Sequence, residues 1–274
     1  MNKTYFFMAG LPRAGSTLLK SILNQNPEIH CSPISPVLEL VYYNQQYFLT
    51  SEQALAYPKP KQEKLIISSL IDQFYTDREE KIVIDHCRAW VNNLERIKPY
   101  ITENPKILCP VRDILEILTS FITMIHRNKN QVSFIDKELI KANIPVNDDN
   151  RCDFLMSPIG IVDQSLWAFS EGYRKGDGKY FYNIEYEDLV NEPEKTLKGI
   201  YDYLELDYFK HDLNHIENNH RELDTQIWGL EDMHEVRKEL KKVSPKPQEV
   251  LSGYVLNKYS NREFWRKNHK TFLL

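Results

Sequence analysis

The chain has 274 residues, 42% of them apolar and 27% charged, with a formal net charge of −4, an ordinary composition for one large domain with its own core. That balance excludes a basic nucleic-acid binder, because no cationic excess is available to neutralise a phosphate backbone, and no window approaches the roughly 20 apolar residues of a membrane helix. The opening MNKTYFFMAGLPR has too short an apolar run for a signal peptide, and Cys31, Cys87, Cys109 and Cys152 form no Cys-x-x-Cys pair, so they read as reduced thiols of a cytoplasmic protein.

The first apolar run, 5–9, is short and aromatic, with Gly10 and Pro12 behind it, and reads as a buried strand ending in a loop. Thr17, Leu18, Leu19, Ile22 and Leu23 then recur at helical spacing up to Asn26-Pro27. The pattern predicts a helix over 61–75, with Leu65, Ile66, Leu70, Ile71 and Phe74 on its apolar face and Pro60 at its start. A β-branched strand at 81–84, a helical stretch at 90–100 and a third strand at 106–111 follow. A helix over 113–127 turns Ile114, Leu115, Leu118, Phe121, Ile122 and Ile125 inward. A fourth strand covers 179–185, and a helix over 193–204 places Leu197, Ile200, Tyr201 and Leu204 three and four apart. Strands alternating with helices imply an α/β fold, a doubly wound parallel sheet flanked by helices, and we read 1–274 as a single domain. Two polar, irregular stretches, about 128–160 and 207–250, break the rhythm and read as lids over a ligand site.

The chemistry begins at Gly10-Leu-Pro-Arg-Ala-Gly-Ser-Thr17, between a strand and a helix. Glycines let the backbone curl so that the amides of Ala14, Gly15, Ser16 and Thr17 face one anion, to which the helix N-terminus adds partial positive charge. The spacing approaches the triphosphatase loop G-x-x-x-x-G-K-[ST], but Ser16 stands where that loop needs Lys. Arg13 supplies the cation instead, and its planar fork suits phosphate or sulfate oxygens.

GLPRAGSTLL resembles the 5′-phosphosulfate loop of sulfotransferases that use 3′-phosphoadenosine 5′-phosphosulfate (PAPS). The longer PRAGSTLLKSILNQNP is similar to a bacterial group of that family and, more distantly, to tyrosylprotein sulfotransferases. The resemblance implies PAPS as the donor, adenosine 3′,5′-bisphosphate as its product, a P-loop-like fold, a hydroxyl or amine acceptor and no metal. It implies that Arg112, at the end of the third strand, and Ser120, eight residues on, hold the 3′-phosphate. Tyr186, in Tyr-Glu-Asp-Leu, takes a place near the adenosine, and in Met233-His-Glu-Val-Arg-Lys238 the residue returning to the 3′-phosphate is Arg237, with Lys238 as its substitute.

The acceptor needs a base, and here the readings stay open. The Glu-Glu pair of tyrosylprotein sulfotransferases is absent, replaced by Ser32-Pro-Ile-Ser35. Cytosolic sulfotransferases carry a His just after a buried strand; the equivalent stretch is Ile84-Asp-His-Cys-Arg88, which makes His86 the most economical base, with an ordinary pKa near 6.5. The bacterial group's D-x-x-R-x-W matches Asp85, Arg88 and Trp90, so Asp85 is the alternative base or the residue that orients His86, and Arg88 and Trp90 are assigned to the substrate or the sulfuryl oxygens. His211 and His215 have the i, i+4 spacing of a zinc helix, but Asp212 replaces the usual Glu in a polar, Asn-rich setting, and no metal is expected. Two competing functions are a P-loop kinase or triphosphatase, for which Asp85 is the one candidate Walker-B carboxylate, and a nucleotide-binding protein without catalysis. The acceptor itself has no readable code.

Overall fold

The computed structural model describes residues 3–218, 223–241 and 246–266. Five parallel strands form one sheet in the order β2-β3-β1-β4-β5: β1 (Thr4–Met8), β2 (Ile29–Ile34), β3 (Ile82–His86), β4 (Ile107–Val111) and β5 (Phe181–Glu185). Each strand is short, and β3 and β4 are buried from end to end, as parallel strands covered on both faces must be. Alternation sends Phe7, Val83, Cys109 and Val111 to one core and Phe6, Met8, Ile84 and Leu108 to the other.

The strand missing from the sequence reading is β2, whose IHCSPI carries Pro33 and sits at the sheet edge, where a strand tolerates a missing N–H. Three other expectations are corrected. The helix Pro60–Phe74 buries Ile67 and Ile71, while Leu65, Ile66 and Phe74 are exposed. The stretch 90–100 is a 3-10 turn, Arg88–Asn92, followed by the short helix Leu94–Ile97. The supposedly irregular 128–160 holds the helices Phe134–Lys141 and Asp148–Leu155, capped by Ser133 and Asn147. By contrast, the helix Pro193–Leu204 buries Leu197, Ile200, Tyr201 and Leu204 as the spacing requires. No helix among the described residues is long and apolar enough to cross a membrane.

After β1 the chain runs to β2, and after β3 it crosses to β4 on the other side of β1. The loops leaving β1 and β4 therefore part in opposite directions, opening a crevice at the carboxyl ends of the strands, the usual ligand position in such sheets.

Candidate active site

A cavity of about 600 Å³ occupies that crevice. Its floor is the loop from β1 to helix α1 (Ser16–Leu23). Gly10 takes φ +94° and lies so close to β4 that a Cβ would stand 2.3 Å from the Pro110 carbonyl oxygen, so only glycine fits. Gly15, at φ +89°, is the residue before α1, and no side chain caps the helix. The first amides of α1 thus lack a side-chain cap at the cavity floor. Gly15, Ser16 and Thr17 line the cavity, whereas Ala14 is packed into the core.

Arg13 itself has positive φ. Its Nε donates to Ser120 Oγ at 3.2 Å and its Nη1 to the Met233 carbonyl. The two sequence motifs are therefore joined through Arg13, and the chain at Met233 reaches over them. Burial first, then the neighbouring Arg112, push the Arg13 pKa down to about 10, with Asp224 pulling the other way.

Arg112 leaves the end of β4 buried. Nε donates to Glu116 Oε2 at 2.9 Å and Nη1 to the Arg13 carbonyl at 3.1 Å, while buried Nη2 has no hydrogen-bond partner among the described residues. The guanidinium lies 4.1 Å from the centre of the Tyr186 ring, a cation–π contact, and Tyr186 covers Gly15, where a Cβ would meet the ring at 2.7 Å. Arg13, Arg112, Ser120 and Tyr186 thus make one wall of the cavity.

His86 and Arg88 stand on the wall above β3. Burial, then Lys20, Arg88 and His234, hold the His86 imidazole well below its ordinary pKa, and its buried Nδ1 lacks a partner among the described residues. Asp85 is on the other face of the same strand, fully buried. Its Oδ2 accepts from Tyr75 Oη at 2.6 Å and its Oδ1 from Trp90 Nε1 at 2.7 Å. Adjacent residues of a strand point to opposite faces, so the expectation that Asp85 orients His86, or serves as base in the cavity, is corrected. Trp90 is corrected with it: the ring is buried against Phe7 and belongs to the core, not to a substrate wall.

Residues between Trp228 and Lys241, with Lys246, Glu249 and Val250, supply the roof. Arg237 is exposed and lines the cavity; Lys238 does not, and its carbonyl accepts from the Ile216 amide at 2.7 Å. Of 128–160 only Asn128 reaches the cavity, so that stretch is no lid. Arg127 also lines the cavity, as does His234, whose Nδ1 is bonded to Asp224. The sequence reading missed these three, although the 3.6-residue period of the helix Ile114–Arg127 places Arg127 two turns past Ser120, on the same side.

A model described as the sulfotransferase family matches residues 6–210. No curated protein sequence matches. Among solved structures, the sulfotransferase domain of the Synechococcus PCC 7002 olefin synthase is 16% identical, with a TM-score of 0.48, covering 91% of this chain and 86% of that one. The sulfotransferase from Alicyclobacillus acidocaldarius is 14% identical, with a TM-score of 0.47 and coverages of 77% and 85%. The sulfotransferase domain of the curacin biosynthetic pathway is 14% identical, with a TM-score of 0.48, over 76% of each chain. The family match runs from β1 past the helix Pro193–Leu204 and takes in both phosphate motifs: this chain belongs to the sulfotransferase family.

Proposed function

We propose that the protein moves a sulfuryl group from PAPS to a hydroxyl or amine, releasing adenosine 3′,5′-bisphosphate. One observation carries the choice of donor: Arg13 and Arg112 are brought together in one cavity wall, where Arg112 lowers the Arg13 pKa, and although Glu116 takes the Arg112 Nε, its buried Nη2 has no partner among the described residues. Two close guanidiniums repel, and a buried unpartnered donor costs about 1–3 kcal/mol; a doubly phosphorylated nucleotide relieves both.

In this reading the amides of Gly15, Ser16 and Thr17 and the Arg13 guanidinium receive the leaving 5′-phosphate. Arg112 and Ser120 hold the 3′-phosphate, Tyr186 lies beside the adenosine and Arg237 closes on the nucleotide from the roof. Sulfuryl transfer is an in-line displacement. The acceptor oxygen bonds to sulfur while the bond from sulfur to the 5′-phosphate oxygen breaks, and the leaving charge falls on preorganised donors. Arg88 and His86 face the acceptor side, and His86, held neutral, can share a hydrogen bond with the incoming group. The cysteines Cys31, Cys87, Cys109 and Cys152 are free thiols, in keeping with a cytoplasmic setting.

The kinase or triphosphatase alternative needs a carboxylate for its metal beside the phosphate loop. Asp85, the sequence candidate, lies outside the cavity with both oxygens taken by Tyr75 and Trp90. Thermal unfolding tests the proposal. Adenosine 3′,5′-bisphosphate at about 100 times its dissociation constant stabilises by about 2.7 kcal/mol, and ATP with Mg²⁺ does not. Arg13→Ala keeps the fold and loses about 10²–10³-fold in turnover with PAPS. Equal stabilisation by ATP and Mg²⁺, or full turnover by Arg13→Ala, overturns the assignment.

A further inference from the structure

The strands β4 and β5 end together. Val111 and Glu185 are register partners in their parallel ladder, so Arg112 and Tyr186 are the first residues past it. There the Arg112 guanidinium lies 4.1 Å from the centre of the Tyr186 ring. Glu116 takes its Nε and the Arg13 carbonyl its Nη1, so the stack on Tyr186 decides where Nη2 points. A guanidinium is flat and rigid, and the direction of that donor depends on how the two chain exits are held beside one another.

A short stretch much later in the chain holds both exits. Glu263 Oε1 accepts from the Ile114 amide at 2.9 Å, one of the first amides of the helix Ile114–Arg127, which have no partner within their own helix. Arg266 grips Glu185 with Nε to Oε1 at 2.8 Å and Nη2 to Oε2 at 2.7 Å, and Trp265 Nε1 donates to Oε1 at 3.0 Å. Such a bidentate pair fixes geometry as well as charge. Arg266 Nη1 also stands 3.9 Å from Asp113 Oδ2. The Trp265 ring is buried beside Phe169, which anchors the stretch in the core. Asp113 and Glu185 are the carboxylates next in sequence to Arg112 and Tyr186. Arg266 offsets the charge of both, which would otherwise oppose a phosphate arriving there. Neither Glu185 nor Arg266 lines the cavity, so they act on a ligand through the stack and not by touching it.

We propose that the stretch Glu263–Arg266 is a clasp that aims Arg112 at the 3′-phosphate of the nucleotide, with Arg266 and Glu185 as its positioning residues. The inference rests on the PAPS reading above. The clasp sets the separation of the two strand exits, the stack of Arg112 on Tyr186 follows from that separation, and the free Nη2 is thereby turned to the phosphate before the nucleotide arrives. Preorganisation of this kind raises affinity by removing the cost of ordering the donor on binding.

The experiment uses the full chain and two probes, adenosine 3′,5′-bisphosphate and adenosine 5′-phosphate, by calorimetry, with thermal melting in parallel. Arg266→Gln is expected to weaken the bisphosphate by about 2–30-fold and adenosine 5′-phosphate by less, so that the preference for the 3′-phosphate narrows. Melting should change little, because the ion pair with Glu185 is partly exposed. Arg266→Lys keeps the charge without the fork and should restore only part of the loss. Glu185→Gln should narrow the preference in the same direction, and the double variant should lose less than the two singles added together. In an Arg112→Ala background Arg266→Gln should have no further effect on the preference, since the clasp works through Arg112. A merely structural role would shift melting and leave the preference where it was. The proposal is overturned by an unchanged preference in Arg266→Gln, by single effects that add in full, or by an undiminished effect in the Arg112→Ala background. A wild type that binds the bisphosphate no better than adenosine 5′-phosphate would instead sink the donor reading.

Discussion

Asp85 and His86 are neighbours in the sequence; Asp224 and His234 are ten residues apart. The first pair is split between two faces of β3, with Asp85 in the core and His86 in the cavity. The second is joined at 2.6 Å by a turn of the roof segment. Adjacency in a strand is thus a guarantee of separation, whereas a loop returning on a short helix, Asp224–Trp228, can bring distant side chains into contact. The two aspartates have correspondingly different tasks. Asp85 holds Tyr75 and Trp90 under the sheet, and Asp224 holds an imidazole over the cavity.

The most severe way to test this contrast is to delete each carboxylate. Asp85→Ala leaves the Tyr75 hydroxyl and the Trp90 N–H buried without their acceptor. At about 1–3 kcal/mol for each stranded donor, the expected loss is roughly 2–5 kcal/mol. For a chain of this size that lowers the melting temperature by roughly 5–15 °C. Bisphosphate affinity and turnover per folded molecule survive. Asp224→Asn keeps an acceptor oxygen beside His234 and should melt closer to the wild type. If Asp85→Ala melts normally but is inactive, the assignment of Asp85 to the core is wrong.

A second prediction sharpens the contrast at the proposed donor end. If Arg112 holds the 3′-phosphate as proposed, Arg112→Ala removes a charged donor from it, an interaction of about 1.5–3 kcal/mol. The preference for adenosine 3′,5′-bisphosphate over adenosine 5′-phosphate should therefore shrink by about 10–100-fold. Calorimetry on both ligands measures it, and an unchanged preference removes Arg112 from the 3′-phosphate.

How much of this was legible depends on how locally each feature is encoded. The glycine loop between β1 and α1 was readable because the conformation of Gly10, Arg13 and Gly15 is set over a few residues. Arg112 and Ser120 were readable because one strand end and one helix fix their spacing. β2 was not, since Pro33 interrupts its pattern and only the edge position excuses it. The outward turn of Leu65 and Ile66 was hidden because the helix Pro60–Phe74 carries apolar residues on more than one face. The segment holding His234 resembled the family, but its pairing with Asp224 had no signal, because no local spacing brings residues ten apart in a polar stretch together.

The smallest predicted effect separates His86 from its neighbour by pH. Burial, with Lys20, Arg88 and His234 behind it, holds the native His86 pKa well below 6.5, while in the unfolded chain it returns to about 6.5. Between those two values the unfolded state binds the extra proton, so stability rises with pH there and is lost as pH falls below about 6.5. One such group changes stability by at most about 1.4 kcal/mol per pH unit. Asp85 works in the opposite sense. Burial raises its native pKa above 3.8, so the native state is the one that holds the extra proton, and acid stabilises it relative to the unfolded chain. His211, lowered to about 4 by burial, adds acid sensitivity of the same sign as His86. The total profile therefore mixes all three, and only a difference isolates one. Urea midpoints at pH 7.5 and pH 5.5 for wild type and His86→Asn provide that difference, because Asp85 and His211 are common to both. The wild type should lose more stability on acidification than the variant does. Equal losses would mean that His86 takes up its proton in the folded protein as readily as in the unfolded chain, and the cavity wall above β3 would then be wetter than its burial indicates.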